Sequence, residues 1–192
     1  MNLNFLIIDD FLEDPDAVRN SALETDFYRS GNWPGLRSDP ADLSYNEYIK
    51  EKIEKILNLK IVNWQNHYNN EDFDTSCFQL CLEDSYTWIH RDRCEYTGIL
   101  YLTPESPVIS GTGIYRHKKT GFYQCFENNV VEDRDETAWE IISYAGNIYN
   151  RLLIFRGCLY HRSLLPGFGT DKYSGRLTQT FFFNTEKYFS QE

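Results

Sequence analysis

His90 and Asp92 stand two residues apart in Trp88-Ile89-His90-Arg91-Asp92, a stretch that reads as extended. In a strand, side chains at i and i+2 leave the same face. An imidazole and a carboxylate side by side suit two ligands of one metal ion, and a third has to arrive from elsewhere. The chain has four histidines: His67, His90, His117 and His161. His161 comes after a turn allowed by Gly157 and falls on a strand of its own, far enough along for several strands to fold back over the pair. Two imidazoles and a carboxylate on one face of a metal, with the other positions open, form the ligand set of non-haem Fe(II). H-x-D is common by chance, so the pair alone is weak; His161 and the strand beyond it strengthen the reading.

Beyond His161 comes Gly175-Arg176-Leu177-Thr178-Gln179-Thr180-Phe181-Phe182-Phe183. Arg176 and Thr178 share one strand face. A guanidinium matches a carboxylate bidentately, and a hydroxyl adds one more hydrogen bond. A charge beside three phenylalanines needs a partner, and an organic dianion would be one. His117, in the basic run Tyr115–Lys119, reads as a surface loop or strand end with substrate contact as the sharper alternative. His67 reads as structural. Arg91, Arg93, Arg116 and Arg156 are candidates for the mouth of a site, and Trp88 for a wall beside His90.

The elements that must position these groups begin with a short strand over residues 3–8. Asp14 caps a helix predicted over Pro15–Glu24, with Pro15 at the first helical position, where no N–H is required. Residues 27–43, rich in Gly, Pro, Ser and Asp, read as loop with a turn at Trp33-Pro34-Gly35. Ser44 predicts the cap of a second helix through Leu57, with Glu47 completing a capping box. Short strands are then expected over residues 61–68, 75–82, 87–92, 97–103, 113–117, 122–126, 148–155, 159–163 and 176–183, with a turn at 69–72. Residues 135–144 are expected to form a short helix. The pattern predicts one domain over 1–192, mainly β with N-terminal helices: helical support over 1–60 and a double-stranded β-helix (jelly roll) over 61–192.

Composition limits the function classes. Aromatic residues make up 16% of the 192, which favours strands. A net charge of −10 argues against nucleic-acid binding through the overall field. The five cysteines contain no C-x-x-C and read as reduced, mostly buried thiols, which with the absence of an 18-residue apolar run predicts a cytoplasmic protein without a membrane span.

Taken in order, H-x-D, a distal His and R-x-T on the last strand resemble the Fe(II)/2-oxoglutarate-dependent oxygenases, most widely their prolyl hydroxylase branch. Leu100-Tyr101-Leu102-Thr103 is similar to the Y-L-N strand after the pair, with Thr103 where that branch often has Asn. Gly111–Tyr115, Asn150–Phe155 and the opening Ile7–Leu12 also look like that branch. The interval from His161 to Arg176 is longer, filled by residues 164–174. The resemblance implies that His90, Asp92 and His161 hold Fe(II). It implies that Arg176 binds the distal carboxylate of 2-oxoglutarate with Thr178 and Tyr101 as helpers, that O2 is consumed, and that an amino acid, peptide or small molecule is hydroxylated. A cupin-like metalloprotein that does not use 2-oxoglutarate, and a non-catalytic interaction domain of the same fold, are the alternatives.

Overall fold

The computed structural model describes residues 4–64, 75–125 and 130–186. In chain order the elements are β1 (Phe5–Ile8), α1 (Pro15–Glu24), β2 (Arg29–Gly31), β3 (Trp33–Pro40), α2 (Leu43–Leu57), β4 (Ile61–Trp64), β5 (Cys77–Cys81), β6 (Tyr96–Tyr101), β7 (Thr112–His117), β8 (Trp139–Ala145), β9 (Leu152–Arg156), β10 (His161–Ser163) and β11 (Arg176–Thr185). Short 3-10 turns lie at Val108–Ser110 and Glu136–Ala138. The major sheet runs β1-β9-β6-β11-β5-β3-β2, with β4 also paired to β11; the minor sheet runs β10-β7-β8. Every pairing is antiparallel.

Strand periodicity sorts side chains to two faces of the major sheet. Leu177, Phe181 and Phe183 of β11 join Leu100 of β6 and Leu152 and Ile154 of β9 in one core with Ala22 and Leu23 of α1 and Ile49 and Ile53 of α2. The intervening residues face inward. Tyr101 of β6 and Leu153 and Phe155 of β9 pack against Ile114 of β7 and Ala145 of β8, a second core between the sheets. β11 is buried along nearly its whole length because helices cover one face and the sandwich interior the other. Phe181 is fully buried and stacks on Trp64 with ring centroids 5.5 Å apart. Phe181→Ala is expected to destabilise the fold by about 3–5 kcal/mol, read from denaturant unfolding.

Both helices form where the sequence places them, with one change of cap. Asp14 Oδ1 accepts from the Ala17 N–H at 2.9 Å, as its position before Pro15 predicts. In α2 the cap is Asp42, not Ser44: Asp42 Oδ1 accepts from the Tyr45 N–H at 3.0 Å and from the Ser44 hydroxyl at 2.6 Å. A carboxylate two residues earlier takes the orphan donor and engages the competing hydroxyl as well.

Three expectations about elements are corrected. Residues 27–43 are not a loop, since β2 and β3 lie there. Pairing with β5 through Leu36↔Leu80, Arg37↔Gln79 and Pro40↔Cys77, with a register shift, overrides the local turn chemistry. Proline is tolerated at such irregular places near a sheet edge. Gly35 has φ +69, and a Cβ there would sit 2.1 Å from Leu80 O, so only glycine lets β3 approach β5. Residues 135–144 carry a 3-10 turn and β8 rather than a helix, because β7 supplies the ladder from His117↔Trp139 to Thr112↔Ala145. Residues 87–92 and the described part of 122–126 form no strand. They make single bridges, His90↔His161 and Gln124↔Leu159. His67 and the turn expected at 69–72 lie outside the described residues.

Candidate metal centre and its cavity

A single bridge brings the candidate ligands together. The His90 N–H donates to His161 O at 3.0 Å, and the His161 N–H donates to His90 O at 2.8 Å. Two residues on, the Asp92 N–H donates to Gly157 O at 2.8 Å, and the Gly157 N–H donates to Glu95 O at 2.9 Å. Gly157 allows more than a turn: a Cβ there would lie 2.2 Å from Cys94 O. The H-x-D segment is thus clamped by backbone contacts to the turn that leads into His161.

The side chains converge accordingly. His161 Nε2 lies 3.4 Å from Asp92 Oδ2, and His90 Nε2 lies 3.9 Å from Asp92 Oδ1. The two imidazole centroids are 4.4 Å apart, and one donor atom from each of the three residues falls within 4.8 Å of the others. His90 Nδ1 is 2.9 Å from Trp88 O and His161 Nδ1 is 2.8 Å from Leu159 O. A carbonyl only accepts, so both Nδ1 atoms carry the proton and both Nε2 lone pairs point where Asp92 points. That tautomer, fixed from outside the triad, is what a metal-binding imidazole needs. The donor set therefore fits a divalent transition metal of the Fe(II) type.

The electrostatics agree. Burial pushes the His90 pKa down to about 4; the nearby His161 adds to the effect and Asp92 opposes it. Burial alone would raise Asp92, but His161 and His90 in their protonated forms, together with the hydrogen bond from the Thr97 hydroxyl, outweigh it and hold the carboxylate well below its usual range. Thr97 Oγ1 donates to Asp92 Oδ2. Below its ordinary pKa near 6.5 the His90 of an unfolded chain takes up a proton that the folded protein refuses. Any stability tied to neutral His90 is therefore complete above about pH 6.5 and is lost as pH falls toward 4. In metal-free protein the His90 ring resonance, followed by NMR, is expected to stay neutral-like to about pH 5; a midpoint at 6 or above would contradict this environment.

The triad lines a cavity of about 740 Å³. Inward-facing residues of β11 form one wall, Arg176, Thr178, Thr180 and Phe182, as the period of the strand requires. Arg176 is 2% exposed. Its Nε donates to Ser110 O at 3.0 Å, its guanidinium lies 5.7 Å over the Tyr101 ring, and its buried Nη2 has no hydrogen-bond partner among the described residues. Thr178 lines the cavity beside it. Tyr101 stands behind the wall, with its hydroxyl 2.8 Å from Thr112 Oγ1. An orphaned buried donor on a cation whose side chain lines the triad's cavity fits a carboxylate-bearing cosubstrate. Thr103 has a role in the fold: its hydroxyl donates to Gly175 O and accepts from the Leu177 N–H, both at 2.8 Å, pinning the start of β11.

The remaining candidates separate. Trp88 lies 5.8 Å from the His90 ring, and Arg91 and Arg93 line the cavity. Arg116 instead pairs with Glu140 at 2.9 Å, and Arg156 packs 5.6 Å over Tyr96. His117 is a strand end but not a surface one. It is 5% exposed, with Nδ1 2.9 Å from Thr120 Oγ1, Nε2 3.3 Å from Asp133 and its ring against Trp139. Three of the five cysteines are buried and two partly so, all free thiols. Arg37, Gln79, Trp33 and Arg134 also line the cavity, and sequence reasoning does not single them out. Their signal is faint: Arg37 and Gln79 are unremarkable in isolation and become neighbours only through the β3–β5 pairing.

Two antiparallel sheets with the inner face of one carrying the H-x-D…H group define the class: the fold is that of the Fe(II)/2-oxoglutarate-dependent oxygenases. It is similar to a Pseudomonas putida prolyl-4-hydroxylase at 18% identity and TM-score 0.52, over 95% of this chain and 92% of that one. It is also similar to HygX from Streptomyces hygroscopicus with nickel and 2-oxoglutarate bound, at 12% identity and TM-score 0.58, over 94% and 82%. A Trichoplax adhaerens prolyl hydroxylase in complex with a hypoxia inducible factor peptide fragment gives 13% identity and TM-score 0.55, over 100% and 88%. No curated protein matches the chain by sequence. The chain belongs to the family of unknown function DUF6445, which it matches over residues 2–183. Among the described residues no helix is long and apolar enough to cross a membrane.

Proposed function

We propose that this protein is an Fe(II)- and 2-oxoglutarate-dependent oxygenase that hydroxylates a C–H bond of an amino acid, peptide or small molecule. The observation that carries the reading is Arg176, whose buried Nη2 has no partner among the described residues and whose side chain lines the same cavity as the His90–Asp92–His161 group. His90, Asp92 and His161 would hold the iron through Nε2, a carboxylate oxygen and Nε2. Arg176 would hold the distal carboxylate of 2-oxoglutarate, with the Thr178 hydroxyl beside it. Tyr101, stacked under the guanidinium and tied to Thr112, sets where that cation sits. When bound, the iron and 2-oxoglutarate supply the oxygen activation, with O2 consumed and 2-oxoglutarate decarboxylated to succinate. The chain's part is to fix both imidazole tautomers through Trp88 O and Leu159 O, to keep Asp92 ionised, and to set the triad and Arg176 around one cavity.

Proteins of this fold have been seen with a small molecule and with a peptide: HygX with nickel, 2-oxoglutarate and hygromycin B, and the Trichoplax enzyme with its peptide fragment. Both kinds of substrate suit the reading. The test is metal-dependent binding of 2-oxoglutarate to Ni(II)-loaded protein by calorimetry, together with O2-dependent succinate formation under Fe(II). Metal uptake with neither result would replace the reading by a jelly-roll metalloprotein that does not use 2-oxoglutarate. No uptake of metal would leave a non-catalytic domain.

A further inference from the structure

A second buried guanidinium faces the cavity. Arg37 on β3 is 7% exposed, and among the described residues its one side-chain hydrogen bond runs from Nε to Gln79 Oε1 at 2.8 Å. Gln79 is held in turn by its own Nε2, which donates to Pro34 O at 3.0 Å. The guanidinium lies 4.4 Å over the Trp33 ring and 5.4 Å over the Phe182 ring. Among the described residues no carboxylate comes within ion-pair distance of it. Burial pulls its pKa down to about 10, so it remains charged at neutral pH. A buried cation without a bonded anion is costly. Nε is occupied, so the Nη1/Nη2 edge is what remains to receive a planar anion.

Its position separates it from the candidate cosubstrate site. Arg37 pairs with Gln79 and Arg176 with Cys81, so the two arginines stand two strands apart and offset by two residues. That puts their Cα atoms roughly 12 Å apart. Their guanidinium groups then diverge. Arg176 packs on Tyr101, whereas Arg37 reaches Phe182, which pairs with Thr97, whose hydroxyl holds Asp92. Asp92 and His90 both feel the charge of Arg37. A divalent ion on the triad would cancel the charge of Asp92 and leave Arg37 still more in need of an anion.

We propose that Arg37, oriented by Gln79 and shelved on Trp33, binds a carboxylate of the substrate beside the triad. This rests on the oxygenase reading and narrows its substrate class to molecules with a free carboxylate. The test uses protein loaded with Ni(II), with and without saturating 2-oxoglutarate. It is titrated by calorimetry with N-acetylated L-amino acids and with their methyl esters. In the natural protein at least one acid is expected to bind at least about tenfold more tightly than its ester, since a hydrogen bond to a charged group is worth about that much. Arg37→Met should erase the preference and still fold, because an apolar side chain of similar volume replaces an unpaired buried charge. Arg37→Lys, which keeps the charge and loses the fork, should restore part of it.

No acid–ester preference in the natural protein, or a preference that survives Arg37→Met, overturns the proposal. Loss of 2-oxoglutarate affinity in Arg37→Met as large as in Arg176→Ala also overturns it, since Arg37 would then belong to the cosubstrate's site. If 2-oxoglutarate fails to bind the natural protein, the oxygenase reading falls, and the titration without it still decides whether Arg37 reads a carboxylate.

Discussion

His161→Ala is expected to lower Fe(II)-dependent succinate formation by more than about 100-fold, because altering even an outer partner of a metal ligand costs about 10–100-fold. The fold should persist. The bridge between His90 and His161 uses only backbone atoms, so alanine keeps both hydrogen bonds. What is lost is one Nε2 ligand atom, the hydrogen bond from Nδ1 to Leu159 O, and ring contacts with His90 and with Phe155, whose centroid lies 4.6 Å away. Circular dichroism should be unchanged, and metal content after dialysis should fall. His117→Ala serves as the contrast. That imidazole is also buried on the minor sheet, but its partners are Thr120 and Asp133. Its removal should leave metal content intact. Full succinate formation by His161→Ala would show that the distal ligand is a different residue.

The amino-acid pattern is most legible where short-range periodicity and long-range role coincide. The alternation of β11 is visible in Arg176, Thr178, Thr180 and Phe182 against Leu177, Phe181 and Phe183, and the structure sends one set to the cavity and the other to the helices. Asp14 before Pro15 announces α1 for the same reason, since cap and helix are neighbours in the chain. The H-x-D pair is different. A strand would set its two side chains on one face, but residues 87–92 make one bridge only. The side chains meet because Gly157 and His161 clamp the segment, contacts that cross about seventy residues of chain. The expected grouping is right while its local cause lies in tertiary contacts.

β2 and β3 are illegible for a related reason. Pro34, Gly35 and Pro40 carry turn chemistry, and in isolation that chemistry argues for a loop. Gly35 is there because β5 passes too close for a Cβ, which only the paired sheet reveals. Arg37 is hidden together with its strand. β8 shows the converse. Trp139, Ile141, Ile142 and Tyr144 favour a strand by propensity, but at the sheet edge Ile141, Ile142 and Tyr144 are all exposed. Without a buried alternate face the period-2 signal disappears, and a short helix becomes an equally good reading.

Arg176→Ala is the prediction that best separates the roles within the cavity. Truncating one partner of a buried, hydrogen-bonded charge pair typically costs 2–5 kcal/mol, so 2-oxoglutarate affinity should fall by at least about 30-fold. Metal affinity should stay within about twofold, since Arg176 touches Ser110 O and Tyr101 and none of the three ligands. Arg176→Lys should recover only part of the loss, because a single ammonium cannot reproduce a fork that uses Nε on Ser110 while presenting Nη2. Calorimetry with 2-oxoglutarate on Ni(II)-loaded protein gives the first quantity and dialysis followed by metal analysis the second. Iron lost together with 2-oxoglutarate would mean that Arg176 holds the architecture of the triad rather than a ligand beside it. Affinity retained without the arginine would place the distal carboxylate elsewhere, and Arg37, a second buried guanidinium on that sheet face, would then be the group to test for it.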